Sequence, residues 1–325
     1  MSNGSIFPEY VDVDYSDGAD ESPGSYPSLS RKLEKAIEVT RTALETYRNP
    51  VLMWTGGKDS TLALYVALEV SRQFDLDPPT ALFIDHLQHF EETLDFVDTW
   101  AGRWGVELVI TTNENVRRYV AEHELEPGED VPVDALDEVN RRHVREVLGY
   151  EEEMFPFLLD TYVGSHLLKT VALNDALESH GFDGVLSGVR WSEQEARADE
   201  TFFSPRHDEA QTPPHDRIHP LLPFDEQAVW DALWKVVVPD TVEGYPDTGH
   251  VPQGQTDLPP DVSMSDIPVS PLYFAGFRSI GSEASTEKQD ETPAWVQNFE
   301  TTAEREGRAQ DKEQLMEQLR DLGYM

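Results

Sequence analysis

The residues best placed to do chemistry are Thr55-Gly56-Gly57-Lys58-Asp59-Ser60-Thr61. An apolar run, residues 51–54, stops at two adjacent glycines. A lysine, an acid and two hydroxyls follow, and then an apolar helical run, residues 62–70. This order reads as a buried strand, a tight turn the size of a phosphate and the first turn of a helix. Glycine permits positive φ and a close approach of backbone to an anion. The free N–H groups of a helix's first turn, and its dipole, favour negative charge there. Lys58 adds a mobile cation, while Ser60 and Thr61 add donors. The spacing is not that of a Walker A loop, because Asp59 separates Lys58 from the first hydroxyl. A plain Gly-Gly turn between a core strand and a core helix is the alternative.

The elements that must position this turn alternate. Residues 29–48 read as a lead-in helix behind Ser28 and Ser30, ending at Asn49-Pro50. A strand at 51–54, a helix at 59–74, a strand at 80–85 ending in Asp85, a helix at 91–104 and a strand at 106–111 follow. This alternation predicts an α/β fold with a doubly wound parallel sheet and right-handed crossovers. Ligands of such sheets sit outside the carboxyl ends of the strands. Residues 55–60, Asp85 and the residues after Thr111 therefore share one rim.

Residues 113–150 are charged and read as helical on either side of a turn at 126–128, and 166–177 form a further helix closed by Gly181. Residues 184–189 are a fourth strand, and Arg190 to Arg197 emerge from it onto the same rim. Residues 204–219 read as a loop, and 225–234 as an amphipathic helix capped by Asp225. Trp230 and Trp234 share one face of that helix and are expected in the core. The domain expectation is a disordered acidic tail at 1–28, a phosphate-turn domain at 29–235 and an irregular, partly helical C-terminal extension at 236–325. The extension carries a flexible loop at 239–266 and a charged helical segment at 295–325.

The chain has 325 residues, a net charge of −38 and a sequence pI near 4.4. That charge disfavours nucleic acid and anionic membranes. The acids are spread along the whole chain, as on the solvated surface of a protein from a high-salt cytoplasm. There is no cysteine, so disulfides, thiolate-bound zinc, iron–sulfur clusters and thiol catalysis are excluded. The N-terminus lacks the basic and apolar regions of a signal peptide, and no apolar run reaches membrane-span length. A soluble cytoplasmic protein is expected. His86, His89, His207, His215 and His219 show no metal spacing and read as polar loop residues.

The motif Thr55-Gly56-Gly57-Lys58-Asp59-Ser60 resembles the PP-loop of the adenine nucleotide α-hydrolase-like superfamily. Further along, Ser165-His166-Leu167-Leu168-Lys169-Thr170, Gly181-Phe182-Asp183 and Ser187-Gly188-Val189-Arg190, with Glu193 and Arg197 at family spacing, carry a closer likeness. So do Pro268-Val269-Ser270-Pro271-Leu272-Tyr273-Phe274-Ala275 and Glu304-Arg305-Glu306-Gly307-Arg308. Over residues 30–325 the chain resembles the sulfate adenylyltransferase small-subunit family, within the PAPS reductase-like group.

That resemblance implies ATP and Mg²⁺ as cofactors, sulfate as the oxyanion substrate, α–β cleavage of ATP and a GTPase large subunit as partner. It implies ATP contacts from Thr55, Gly56, Gly57, Lys58, Asp59, Ser60, Asp85 and Gly188. It implies catalytic roles for Lys58, Asp59, Arg190 and Arg197. Arg190, Arg197 and Arg278 become candidates for the oxyanion, because guanidinium matches such groups bidentately. Lys169 stands at a family-matching helical position. No protein metal site is expected beyond Mg²⁺ held by the phosphates. The chain departs from the family at Trp191, Glu195 and Ser282, where an Arg, a Lys and a Cys are usual. Without cysteine, the family's reductase chemistry is not available. Two other readings stay open: a related enzyme adenylating tRNA, DNA or a small molecule, and a nucleotide-binding subunit without turnover.

Overall fold

The computed structural model describes residues 7–194, 197–207, 213–247, 249–299 and 304. The chain enters through α1 (Leu29–Thr46), whose first turn is capped by the Ser28 side chain accepting from the Arg31 amide. Then β1 (Pro50–Met53), α2 (Lys58–Phe74), β2 (Thr80–Ile84), α3 (Glu91–Trp104) and β3 (Leu108–Thr111) alternate as expected. Each boundary lies within two residues of its sequence expectation.

β1 and β2 are buried on both faces by period-two alternation. Leu52, Ala81, Phe83 and Leu186 face the core shared with α1, α2 and α3. Val51, Leu82 and Val185 face the opposite layer, where Leu173, Ala176 and Leu177 close over them.

Between β3 and the fourth sheet strand the chain builds a satellite. It comprises α4 (Glu114–His123), β4 (Asp130–Pro132), α5 (Glu138–Arg142) and β5 (Met154–Pro156), with β4 and β5 antiparallel. The expectation that 113–150 is helical on either side of a turn at 126–128 is thus corrected at β4. Val131 and Phe155 are buried strand residues whose pairing partners lie some two dozen positions apart. A continuous helical stretch then runs from α6 (Tyr162–Ser165) through a π-helical segment, His166–Val171, into α7 (Ala172–His180).

The main sheet continues with β6 (Gly184–Leu186), β7 (Phe203–Arg206) and β8 (His215–Ile218). Its order is β3-β2-β1-β6-β8-β7, parallel except for the β7–β8 pair. Residues 204–219, read as a loop, therefore supply two strands. Polar and Pro-rich sequence masked them, yet Phe203, His215, Asp216 and Ile218 are buried. The order reverses between β1 and β6, the switch point at which doubly wound sheets open a crevice. The phosphate-sized turn lies there.

Beyond the sheet come α8 (Glu226–Ala232), α9 (Val238–Thr241) and α10 (Pro271–Phe274). Trp230 and Trp234 are buried core residues, as expected. The 1–28 tail is corrected over its described part. Phe7 stacks on His207, Tyr15 donates to Asp216 at 3.0 Å and the Phe202 amide donates to the Asp17 carbonyl at 3.0 Å. Aromatic anchors hold a segment whose average composition is that of a disordered one. Residues 239–266 are also anchored. Val251, Leu258, Val262 and Met264 pack against the core, and Arg103 donates to the Ser265 carbonyl at 2.7 Å. Apart from Glu304, the expected helical segment after residue 299 lies outside the described residues.

Candidate active site

The turn between β1 and α2 is tied by its own hydroxyls. Gly56 has φ +75°, a conformation that side chains rarely adopt. The Thr55 amide donates to Ser60 Oγ at 3.1 Å, and Ser60 Oγ lies 3.1 Å from the Gly57 carbonyl. Ser60 therefore shapes the loop across its base. Gly57 begins α2 without a side-chain cap. The Lys58 amide donates to the Tyr273 hydroxyl at 2.9 Å, which brings α10 over the turn. From the other side Gly188, just past β6, abuts the turn's backbone. A Cβ there would meet Asp59 C at 2.7 Å and Ser60 N at 2.8 Å.

A four-member ion cluster sits at this junction. Asp59 Oδ1 lies 2.6 Å from Arg190 Nε, and Asp59 Oδ2 lies 3.3 Å from Lys58 Nζ. Glu304 closes the set, binding Lys58 Nζ and pairing with Arg190 Nη2 at 2.6 Å. Arg190 is fully buried and Lys58 is 3% exposed. Burial works against both cations, but Asp59 and Glu304 together outweigh it and hold each pKa above its ordinary value. Burial likewise disfavours the Glu304 carboxylate, and Lys58 and Arg190 outweigh it and hold that pKa down. The two cations thus converge on one carboxylate, 246 positions from Lys58 and 114 from Arg190.

The cluster opens on a cavity of about 330 Å³. One wall carries Ile84, His86 and His89, with the two imidazoles stacked at 3.5 Å between centroids. Burial pushes His89 down to about 4, so it is neutral at pH 7. Ser165 and Lys169 line a second wall. Another end is lined by Arg197, Glu200, Arg217 and His219. Ser187 Oγ and His219 Nδ1 are 2.9 Å apart, and His219 Nε2 is 3.5 Å from Glu200. Burial opposes the Glu200 charge, but His219 and Arg206 outweigh it and hold its pKa down to about 2.

The structure brings most of the sequence-derived residues together. Thr55, Gly57, Lys58, Asp59, Ser60, Gly188 and Arg197 line the cavity, and Gly56 and Arg190 lie immediately behind it. Asp85 shapes the loop after β2 by accepting from the Leu87 amide at 2.9 Å, while its neighbours Ile84 and His86 line the wall. Arg278 is corrected. It is buried against Glu226, with Nη2–Oε2 at 2.7 Å, and does not line the cavity. An acid at the start of α8, unremarkable as sequence, claims this guanidinium.

His215 and His219 are corrected as well, being buried residues in and after β8. Sequence reasoning missed Glu304, Tyr273 and Arg217 as site residues. The signal for Arg217 was the polar run 215–217 leading into Ile218 and, after His219, an apolar Pro-Leu-Leu-Pro segment. Glu195 lies outside the described residues. For a divalent cation, Asp59 is the carboxylate of the turn, and two cations already hold it. Among the described residues no cluster of three metal-ligating side chains occurs.

Comparison with known proteins gives a consistent frame. The family model for the phosphoadenosine phosphosulfate reductase domain matches residues 49–241. The chain belongs to that family. It is 28% identical to sulfate adenylyltransferase subunit 2 of Rhizobium meliloti over 262 residues, 79% of this chain and 71% of that one. It is 28% identical to the protein of the same name from Brucella ovis over 258 residues, 78% and 69% of the two chains. Among solved structures, Candida glabrata FMN adenylyltransferase aligns with TM-score 0.51 at 15% identity, covering 89% of this chain and 94% of that one. That likeness shows the shared fold, a mostly parallel sheet between helices.

Proposed function

We propose that this member of the phosphoadenosine phosphosulfate reductase domain family is a sulfate adenylyltransferase subunit, moving the adenylyl group of ATP to sulfate and releasing pyrophosphate. The observation that carries this reading is the convergence of Lys58 and Arg190 on one carboxylate at a glycine turn that opens α2. Such a cradle suits the negative charge of a departing pyrophosphate. A sulfate oxygen would attack the α-phosphorus, the α–β bond would break, and its electron pair would leave with pyrophosphate. Transfer of this kind depends on positioning and charge neutralisation.

In this reading the turn amides and Lys58 hold the β,γ-phosphates. Asp59 orders Lys58 and Arg190, with both of which it pairs. Gly188 lets β6 approach the turn, and the wall of Ile84 and His86, shaped by Asp85, takes the adenosine. Arg197 faces the α-phosphate and the acceptor. Mg²⁺, bound through the phosphates, would neutralise charge on the leaving group. The name subunit 2 carried by the relatives supports a partner subunit; the partner proposed is a larger GTPase that drives an uphill transfer, and the site of action proposed is the cytoplasm.

The test is pyrophosphate release from ATP in high salt, with and without sulfate and with and without the partner subunit. Release that requires sulfate and rises with the partner is the expected result. One observation favours a second reading, a nucleotide-binding subunit without turnover: Glu304 fills the anion position between Lys58 and Arg190. ATP binding without sulfate-dependent release would select it.

A further inference from the structure

We infer that Arg217 is the residue that receives the second anion of the reaction, a free tetrahedral oxyanion. The inference rests on the adenylyl-transfer reading and deepens it by naming the acceptor's binding group. Arg217 lies in β8, in register with Val185 of β6 and Ser204 of β7, and its side chain lines the cavity beside Arg197.

Its partner sets it apart from the other arginines of this region. Arg190 pairs with Asp59 and Glu304, Arg197 with Glu193, Arg206 with Glu200 and Arg278 with Glu226. Arg217 instead donates through Nε to His215 Nε2 at 3.2 Å. His215 Nδ1 stands 2.8 Å from the Pro213 carbonyl, which makes Nδ1 the donor and leaves Nε2 as an acceptor. Burial pushes His215 down to about 3, so the ring is neutral. Among the described residues no carboxylate lies within ion-pair distance of Arg217.

A neutral ring thus orients the guanidinium without cancelling its charge, and among the described residues neither terminal nitrogen has a hydrogen-bond partner, which leaves that edge for a ligand. Burial, helped by the neighbouring Arg206 and Arg197 charges and opposed by Glu200, lowers the Arg217 pKa to about 10, which still leaves it charged at pH 7. Holding a cation that has no paired carboxylate among the described residues against low-dielectric walls is unfavourable until an anion arrives. This happens in a chain with 63 acidic and 25 basic side chains, where a carboxylate partner would be easy to supply. The remaining N–H edge suits two oxygens of a tetrahedral anion. Glu193 and Glu200 also line this end, but Arg197 and Arg206 hold them.

The same chemistry could serve the nucleotide's α-phosphate, and the test separates the two sources. The full chain is saturated with α,β-methylene-ATP in buffered KCl and titrated calorimetrically with sulfate. The methylene analogue is titrated separately. Arg217→Ala, and Arg217→Lys should the first not fold, are compared with the wild type. Either substitution is expected to weaken sulfate binding about tenfold or more, while analogue affinity stays within about twofold. Unchanged sulfate affinity in the variants would overturn the assignment while leaving the adenylyl-transfer reading intact. So would a loss of analogue affinity, which would give Arg217 to the α-phosphate. A wild-type chain that binds the analogue but no sulfate would sink the adenylyl-transfer reading itself, and this inference with it.

Discussion

A single carboxylate decides what the phosphate turn presents to solution. Glu304 satisfies Lys58 and Arg190, which burial would otherwise leave as costly charges. In the adenylyl-transfer reading proposed above, a triphosphate entering the cradle replaces that carboxylate. Glu304→Gln is therefore expected to tighten ATP binding about tenfold, the equivalent of ~1.4 kcal/mol. Titration of the variant with ATP would check this, and weaker binding would mean that Glu304 positions Lys58 and Arg190 for the nucleotide. The lysine was legible in the sequence because it follows two glycines directly. The glutamate was not, because nothing local ties it to a turn 246 positions earlier.

At the scale of elements, the site is a three-way junction. α2 offers its N-terminus, the end of β6 presses on the turn through Gly188, and α10 covers it through Tyr273. The contact at Gly188 is backbone against backbone, so an added methyl cannot be absorbed by a rotamer change. Gly188→Ala should displace the turn, cost about 1–3 kcal/mol of stability and weaken nucleotide binding. Thermal unfolding and ATP titration together read both effects. Normal values in both would show that β6 and the turn move apart freely. The order of strands and helices up to β3 followed from periodicity and turn residues. The β7–β8 pair did not, because its strands are short and mostly polar, and tertiary burial overrides propensity there.

For the molecule as a whole, charge sets two responses. With a net charge of −38, unscreened repulsion opposes the compact state, so the unfolding temperature should rise as KCl is raised. A flat or falling trend in thermal melts would remove repulsion as the governing effect. Protonation gives the second response. His89, His166 and His215 are held neutral by burial, with pKa values lowered to about 4, 3 and 3. Below pH ~6.5 the unfolded chain binds protons that these folded sites refuse, so stability is lost as pH falls from there toward 4. Most carboxylates titrate lower, so the interval from pH ~6.5 to ~5 isolates the histidines. Denaturant unfolding at pH 7, 6 and 5 should show a steady decline of up to about 1.4 kcal/mol per histidine per pH unit. A constant stability over that range would mean that the rings are accessible to protons.

The sequence by itself determined the glycine turn, the strand before it, the helix after it and the alternation that makes a doubly wound sheet. These are local matters of φ, capping and apolar period, and each is written within a few residues. Only the tertiary structure decided which cations face the cavity. Arg190, Arg197, Arg217 and Arg278 are alike as residue types, and their roles differ because of the partners packed against them. Arg278 is claimed by Glu226, Arg190 is shared between Asp59 and Glu304, and Arg217 leans on a neutral histidine. The charge available to a ligand depends on those pairings, and most of them join positions far apart in the chain.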